Sequence, residues 1–118
     1  MADKNIEQIV GLMQIQNQQM QSLLIQKQTL SIQKQEIEKA LADLEKCSDD
    51  VFKTVGPILV KTDKEQVKSD LKSSIEDIDL KMQTIERQEK KLKEKLQESQ
   101  EKLKDIMPQQ KENIGQGG

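Results

Sequence analysis

Apolar residues at alternating steps of three and four constrain this chain more than anything else in it. From Ile6 the steps pass through Ile9, Met13, Gln16, Met20, Leu23, Lys27, Leu30, Lys34, Ile37, Leu41 and Leu44, and nine of these twelve positions are apolar. A second series runs Leu71, Ile75, Ile78, Met82, Ile85, Glu89, Leu92, Leu96, Ser99, Leu103 and Ile106, with nine of eleven apolar. On an α-helix this spacing lines one narrow face, a coiled-coil seam and not the broader stripe of an ordinary amphipathic helix. Each arm is about 40 residues, or roughly 60 Å of helix at 1.5 Å per residue. Asn5 with Gln8, and Thr62 with Glu65, have the spacing of capping boxes at the two starts. Pro108 marks the end of the second arm, because proline cannot continue a helix.

Composition agrees with a thin core. Hydrophobic residues make up 33% of the chain, charged residues 34% and aromatics 1%, with Phe52 the only ring. That is enough to fill a seam but not a thick interior. So polar a chain would also suit disorder, and the sustained periodicity argues for helix instead. Nineteen basic and 21 acidic residues leave a net charge of −2, with no basic excess to neutralise phosphates, so no nucleic-acid partner is expected. No apolar run is long enough to cross a bilayer and no signal-peptide pattern is visible, so the expectation is no membrane and a cytoplasmic location. Cys47 is the single cysteine and there is no histidine, which excludes an intrachain disulfide and a Cys/His metal site. No metal or cofactor is expected. Cys47 reads as a buried or tolerated thiol, with an intermolecular disulfide as the alternative.

Two arms of equal length predict one antiparallel helical hairpin, with Ile6 near Ile106 and Leu44 near Leu71. A parallel pair of continuous helices would have to pass through Gly56-Pro57. Lys27, Lys34 and Glu89 interrupt the seam, either as register devices or where the seam splays. The second arm carries Glu86–Lys90, Glu89–Lys93 and Glu98–Lys102 at i,i+4 spacing, the mark of a solvated face. The first arm is Gln-rich and nearly uncharged up to residue 35. The expected boundaries are a single coiled-coil subunit over 1–107, with helix about 6–46, β-hairpin about 51–62 and helix about 63–107. A disordered tail is expected over 108–118.

The connector changes character. Val51-Phe52-Lys53-Thr54-Val55 and Ile58-Leu59-Val60-Lys61-Thr62 are β-branched runs on either side of Gly56-Pro57, which reads as a two-stranded hairpin with Gly supplying the positive φ of a tight turn. An irregular loop is the alternative. Val55, Ile58 and Val60 fall on one face, Phe52 and Leu59 on the other. An isolated two-stranded hairpin is marginal in water and its edges recruit further strands. Residues Val51, Phe52, Val55, Gly56, Pro57, Ile58, Leu59 and Val60 are therefore the expected subunit-assembly element.

These residues carry a family resemblance. Phe52-Lys53-Thr54-Val55-Gly56-Pro57-Ile58-Leu59-Val60-Lys61-Thr62, followed by Thr84-Ile85-Glu86-Arg87-Gln88-Glu89-Lys90-Lys91-Leu92, resembles the beta-class subunit of prefoldin, archaeal type, over roughly residues 6 to 107. The resemblance implies a mainly α fold: a long antiparallel two-helix coiled coil whose β-hairpin, at the closed end, joins an oligomeric β-barrel hub. It further implies a hexamer of two alpha-class and four beta-class subunits, which holds unfolded client proteins without ATP hydrolysis and passes them to a group II chaperonin. One hairpin per chain points to the beta class.

The sequence also offers a candidate client surface. Val10, Leu12, Ile15, Leu24 and Ile25 lie off the seam within the first 25 residues, whereas only Ile32, Ala40 and Ala42 do so in the next twenty. At the open end this surplus would meet Leu103, Ile106 and Met107. Met13, Met20 and Met107 are flexible and polarisable, suited to varied apolar partners. Polar seam positions such as Gln16 and Ser99 would let the helices part slightly there. The alternative is packing against another helix in a permanent bundle, which would make the protein a structural scaffold or tether with fixed partners. An enzyme is the remotest reading: there is no His, no nucleotide-cradling Gly-rich loop, and carboxylates such as Asp77 and Glu86 lie on open helical surface.

Overall fold

The computed structural model describes residues 2–107; Pro108 and the tail expected over 108–118 lie outside the described residues. The element order is α1 (Ala2–Lys46), β1 (Val51–Val55), β2 (Ile58–Thr62) and α2 (Lys64–Ile106). The chain divides into two units: a terminal unit, which contains residues up to Ile25 and from Ile85 onward, and a hairpin unit, Gln26–Thr84.

Both helix starts depart from the capping boxes read in the sequence. α1 begins at Ala2, so Asn5 and Gln8 lie inside it. Ala2, Asp3 and Lys4 contain no breaker, and the backbone has no reason to leave the helix before them. Thr62 is the last residue of β2, paired with Val51. The junction residue is Asp63, whose carbonyl accepts the first intrahelical bond from the Val67 N–H at 3.1 Å. Strand pairing thus claims Thr62 and moves the cap on by one, while Glu65 places negative charge in the first turn of α2, where the helix dipole favours it. α2 ends at Ile106, as expected for a helix approaching Pro108.

In the hairpin unit, Leu44 and Ile78 are buried, and Leu30, Ile37, Leu41, Leu71, Ile75 and Met82 are half-buried, so the seam positions face inward as the periodicity requires. The helices run antiparallel here. Lys34 on α1 meets Asp79 on α2, and further along α1 Glu45 meets Lys68, further back on α2. The Lys34 Nζ–Asp79 Oδ1 distance is 2.7 Å. This hydrogen bond raises the Lys34 ammonium above its ordinary pKa, against the smaller opposing effect of desolvation. The Lys68 ammonium is likewise raised by its hydrogen bond to Glu45, and Glu45 is held below the ordinary carboxylate value by Lys68. The Glu45 contribution is therefore present at neutral pH and lost as pH falls through its lowered value; that of the lysines is lost only as pH rises past their raised values. Lys64 Nζ donates to the Cys47 carbonyl at 2.9 Å, tying the start of α2 to the chain just past α1 and satisfying one of the carbonyls a helix end leaves open.

β1 and β2 pair antiparallel with the register Val51↔Thr62, Phe52↔Lys61, Lys53↔Val60, Thr54↔Leu59 and Val55↔Ile58. Only Gly56 and Pro57 remain for the turn. Gly56 has a φ of 58°, and Pro57 is confined by its ring to negative φ, the combination of a type II′ hairpin turn. An L-residue with a Cβ would be strained at Gly56, although space is open around it.

In the terminal unit, Ile85 and Leu92 are buried, with Ile6, Ile9, Met20, Leu23, Leu96 and Leu103 half-buried along the same seam. Gly11 lies inside α1, and a Cβ built there meets nothing within 4 Å. Glycine in a helix interior is unfavourable by about 0.5–1 kcal/mol relative to alanine, because it loses more backbone freedom on folding. Gly11→Ala should accordingly stabilise the chain by about that amount, read as a higher thermal midpoint of helical circular dichroism at fixed protein concentration. A lower midpoint would mean that the helix needs glycine at this turn.

Candidate functional site

Two surfaces of this chain leave large apolar side chains in water. The first is the amino-terminal stretch of α1. Val10, Leu12, Ile15, Leu24 and Ile25 are all exposed, Ile25 by 61%. Helical spacing separates them around the helix. Val10 and Leu24 stand one turn from the seam residues Met13 and Met20; Leu12 stands one turn from Ile9 and Gln16, with Ile15 beside it. Ile25 lies on the outer side. A third helix packed permanently against α1 would call for a single i, i+3/i+4, i+7 row, and these five residues form no such row.

The other residues expected to join them lie deeper. Met13, Met20, Leu103, Ile106 and Met107 are half-buried on or beside the seam. They offer the margins of their side chains to solvent and otherwise hold the helices together. Ile32, Ala40 and Ala42 are exposed in the hairpin unit, as their off-seam positions require. Leu80, 60% exposed on α2, was not anticipated, although its place outside the three-four rhythm was the available signal.

The polar seam positions Gln16 and Ser99 overturn an expectation. Instead of loosening the helix pair they are among its best-covered residues, each 5% exposed. Ser99 Oγ donates to Gln16 Oε1 at 3.2 Å. No buried side-chain polar atom among the described residues lacks a partner. A satisfied buried pair of this kind costs little, whereas half of it would be expensive, so the pair acts as a clasp.

The second surface is the β-hairpin. Register places Val51, Lys53, Val55, Ile58, Val60 and Thr62 on one face and Phe52, Thr54, Leu59 and Lys61 on the other. Phe52, Val55, Ile58, Leu59 and Val60 are exposed, Leu59 by 65%, so both faces of the sheet carry uncovered apolar side chains. The sheet contains these two strands alone among the described residues, which leaves two unpaired edges. Gly56 and Pro57 form the turn and Val51 is half-buried at its base. Lys61 Nζ lies 3.5 Å from Asp50 Oδ2, an exposed pair of little energetic weight. Cys47 is a free, half-buried thiol whose Sγ lies 3.5 Å from the Asp49 carbonyl oxygen. No described helix is long and apolar enough to cross a membrane, and no group of His, Cys, Asp or Glu among the described residues is placed to hold a metal ion.

Residues 7–110 match the family model described as prefoldin subunit. Among solved structures, the chain is similar to the crystal structure of the prefoldin beta subunit from Thermococcus strain KS-1, at 35% identity and a TM-score of 0.79, over 85% of this chain and 90% of that one. No curated protein sequence gives a significant match. The two long helices joined by one antiparallel hairpin are the fold of that beta subunit.

The clasp can be tested directly. Ser99→Ala alone should destabilise the helix pair by about 1–3 kcal/mol, because the Gln16 amide oxygen is left buried without its donor. Gln16→Leu combined with Ser99→Ala should recover most of that loss, since both polar groups are then gone. A double-mutant cycle on thermal or urea unfolding measures the difference. Additive single-site effects would show that the two side chains are not coupled.

Proposed function

Because the chain belongs to the prefoldin subunit family, we propose that it works as a beta-class subunit of an ATP-independent molecular chaperone, holding unfolded proteins on the exposed apolar residues of its terminal unit. The observation that carries this reading is the uncovered set Val10, Leu12, Ile15, Leu24 and Ile25 on a helix whose seam is otherwise satisfied. Apolar area covered by a non-native chain contributes about 25 cal/mol per Å². Half-buried Met13, Met20, Leu103, Ile106 and Met107 border the same unit and add adaptable contact.

The hairpin supplies assembly. Its uncovered faces and edges are suited to strand pairing with alpha-class subunits and further copies of this chain in a β-barrel hub, giving the two-alpha, four-beta hexamer. Several weak client sites on one hub then act together through effective concentration. Hand-off to a group II chaperonin and a cytoplasmic location complete the proposal. None of these steps asks the chain for catalysis or a cofactor.

Assembly and holding are separable by mutation. Val55→Asp with Leu59→Asp puts a charge on each face of the hairpin, where desolvation on subunit packing would be costly. Co-expressed with an alpha-class subunit, this variant should remain helical by circular dichroism but lose the hexamer mass in light scattering. An unchanged mass would remove the hairpin from the interface.

Holding is tested by Val10→Gln, Leu12→Gln and Ile15→Ser together. The triple variant should keep its helix content and oligomer mass while suppressing aggregation of several denatured proteins several-fold less well, the loss being repeated on every copy. Lys90→Gln, Lys93→Gln and Lys102→Gln, on the exposed charged surface of α2, form the matched control. Full protection by the triple variant would refute client binding at this end of α1. Loss of helix or of the oligomer would instead identify the three residues as packing elements and favour a scaffold with fixed partners.

A further inference from the structure

One flank of the terminal unit joins exposed apolar residues to an electropositive groove. The groove, about 370 Å³ in volume, is lined by Gln19, Ser22 and Leu23 of α1 and by Gln88, Lys91, Leu92 and Lys95 of α2. Its floor is apolar, formed by half-buried Leu23 and buried Leu92. Its rim is made of exposed amide, hydroxyl and ammonium groups. Lys91 and Lys95 stand one helical turn apart on the same rim, and among the described residues neither has an ion-pair partner. On α1, residues 12, 15, 19 and 22 follow steps of three and four, so exposed Leu12 and Ile15 continue the row that reaches the groove through Gln19 and Ser22. α1 contributes no acidic residue to this row; on α2, Glu94 and Glu98 stand three residues beyond Lys91 and Lys95, but neither lines the groove.

Resting on the client-holding reading, we infer that this flank selects among unfolded chains for extended segments in which apolar side chains are followed by acidic ones. The apolar side chains cover Leu12 and Ile15, and the carboxylates meet Lys91 and Lys95. The glutamine amides of Gln19 and Gln88 are placed at the rim to exchange hydrogen bonds with the peptide groups of the same segment, whose backbone in an unfolded chain is free to bond. The charge complement is what commits the groove to acidic polypeptide: two unpaired cations beside an apolar floor disfavour a basic segment and leave a purely apolar one without a partner for the lysines.

The test uses the full chain assembled with its partner subunits and three fluorescent, unstructured peptides. They share one cluster of Leu and Val and differ in the following three residues, which are Glu, Gln or Lys. Fluorescence anisotropy should rank them Glu, Gln, Lys, with the Glu peptide bound about three- to tenfold tighter than the Gln peptide, the range expected of two exposed charge pairs. High salt should shrink that preference, because exposed pairs are screened. Lys91→Gln with Lys95→Gln should abolish the preference and leave the Gln peptide's affinity unchanged. Lys91→Glu with Lys95→Glu should reverse the ranking, and Lys90→Gln with Lys93→Gln should leave it as in the parent. Equal affinities for the three peptides, or the same loss in the Lys90/Lys93 variant, would overturn the selection of acidic segments while leaving client holding intact. Binding of none of the peptides would overturn both. A single-stranded oligonucleotide bound as tightly as the Glu peptide would show a general anion site and not a polypeptide groove.

Discussion

Within each unit of this protein one strip of side chains between two antiparallel helices is the whole interior. Leu44 and Ile78 are the most covered apolar residues of the hairpin unit, Ile85 and Leu92 those of the terminal unit, and among the described residues no side chain is fully enclosed. Two helices cover each other along one face only. The remaining circumference of both stays in water, which is why 34% of the chain is charged and the first arm is rich in glutamine. The polar composition follows from the seam. A third packed helix would demand a broader apolar face than the three-four rhythm supplies.

A repetitive seam creates its own problem, since a slip by one heptad restores apolar matching. Polar groups at single seam positions remove that degeneracy, because they have few acceptable partners. Gln16 and Ser99 satisfy each other in the terminal unit, and Lys34 finds Asp79 in the hairpin unit. The two-residue turn at Gly56-Pro57 fixes the register of the strands in turn: with Val55 paired to Ile58, only those two residues lie between them.

With so little interior, function has to reside in what the seam leaves uncovered. The hairpin exposes apolar side chains on both faces and two unpaired edges, which natural proteins seldom tolerate in a finished monomer. The amino-terminal stretch of α1 exposes five more apolar side chains that no single packed helix would cover. One surface is organised by strand register and is suited to a defined partner. The other is scattered around a helix and is suited to partners without defined shape. Membership of the prefoldin family is in keeping with that division of labour.

Much of this was legible in the chain itself, because it is local. Period and turn chemistry act within a few residues, so the seam positions, the two strands and the positive φ at Gly56 followed from spacing and residue type. The exposure of Val10, Leu12, Ile15, Leu24 and Ile25 followed from the same periodicity, as what the seam omits. The helix starts were misplaced for an equally local reason: Asn5 and Thr62 look like caps, but a continuing helix and a paired strand outweighed them. Tertiary structure alone decided which groups meet across the two helices. That Gln16 is clasped by Ser99 and not a point of weakness, that Lys34 lies against Asp79, and that Lys91 and Lys95 edge a groove opened beside Leu23 all depend on helix register and side-chain rotamers. Those are settled by packing between segments far apart in the chain, and periodicity along one helix carries no information about its partner's phase.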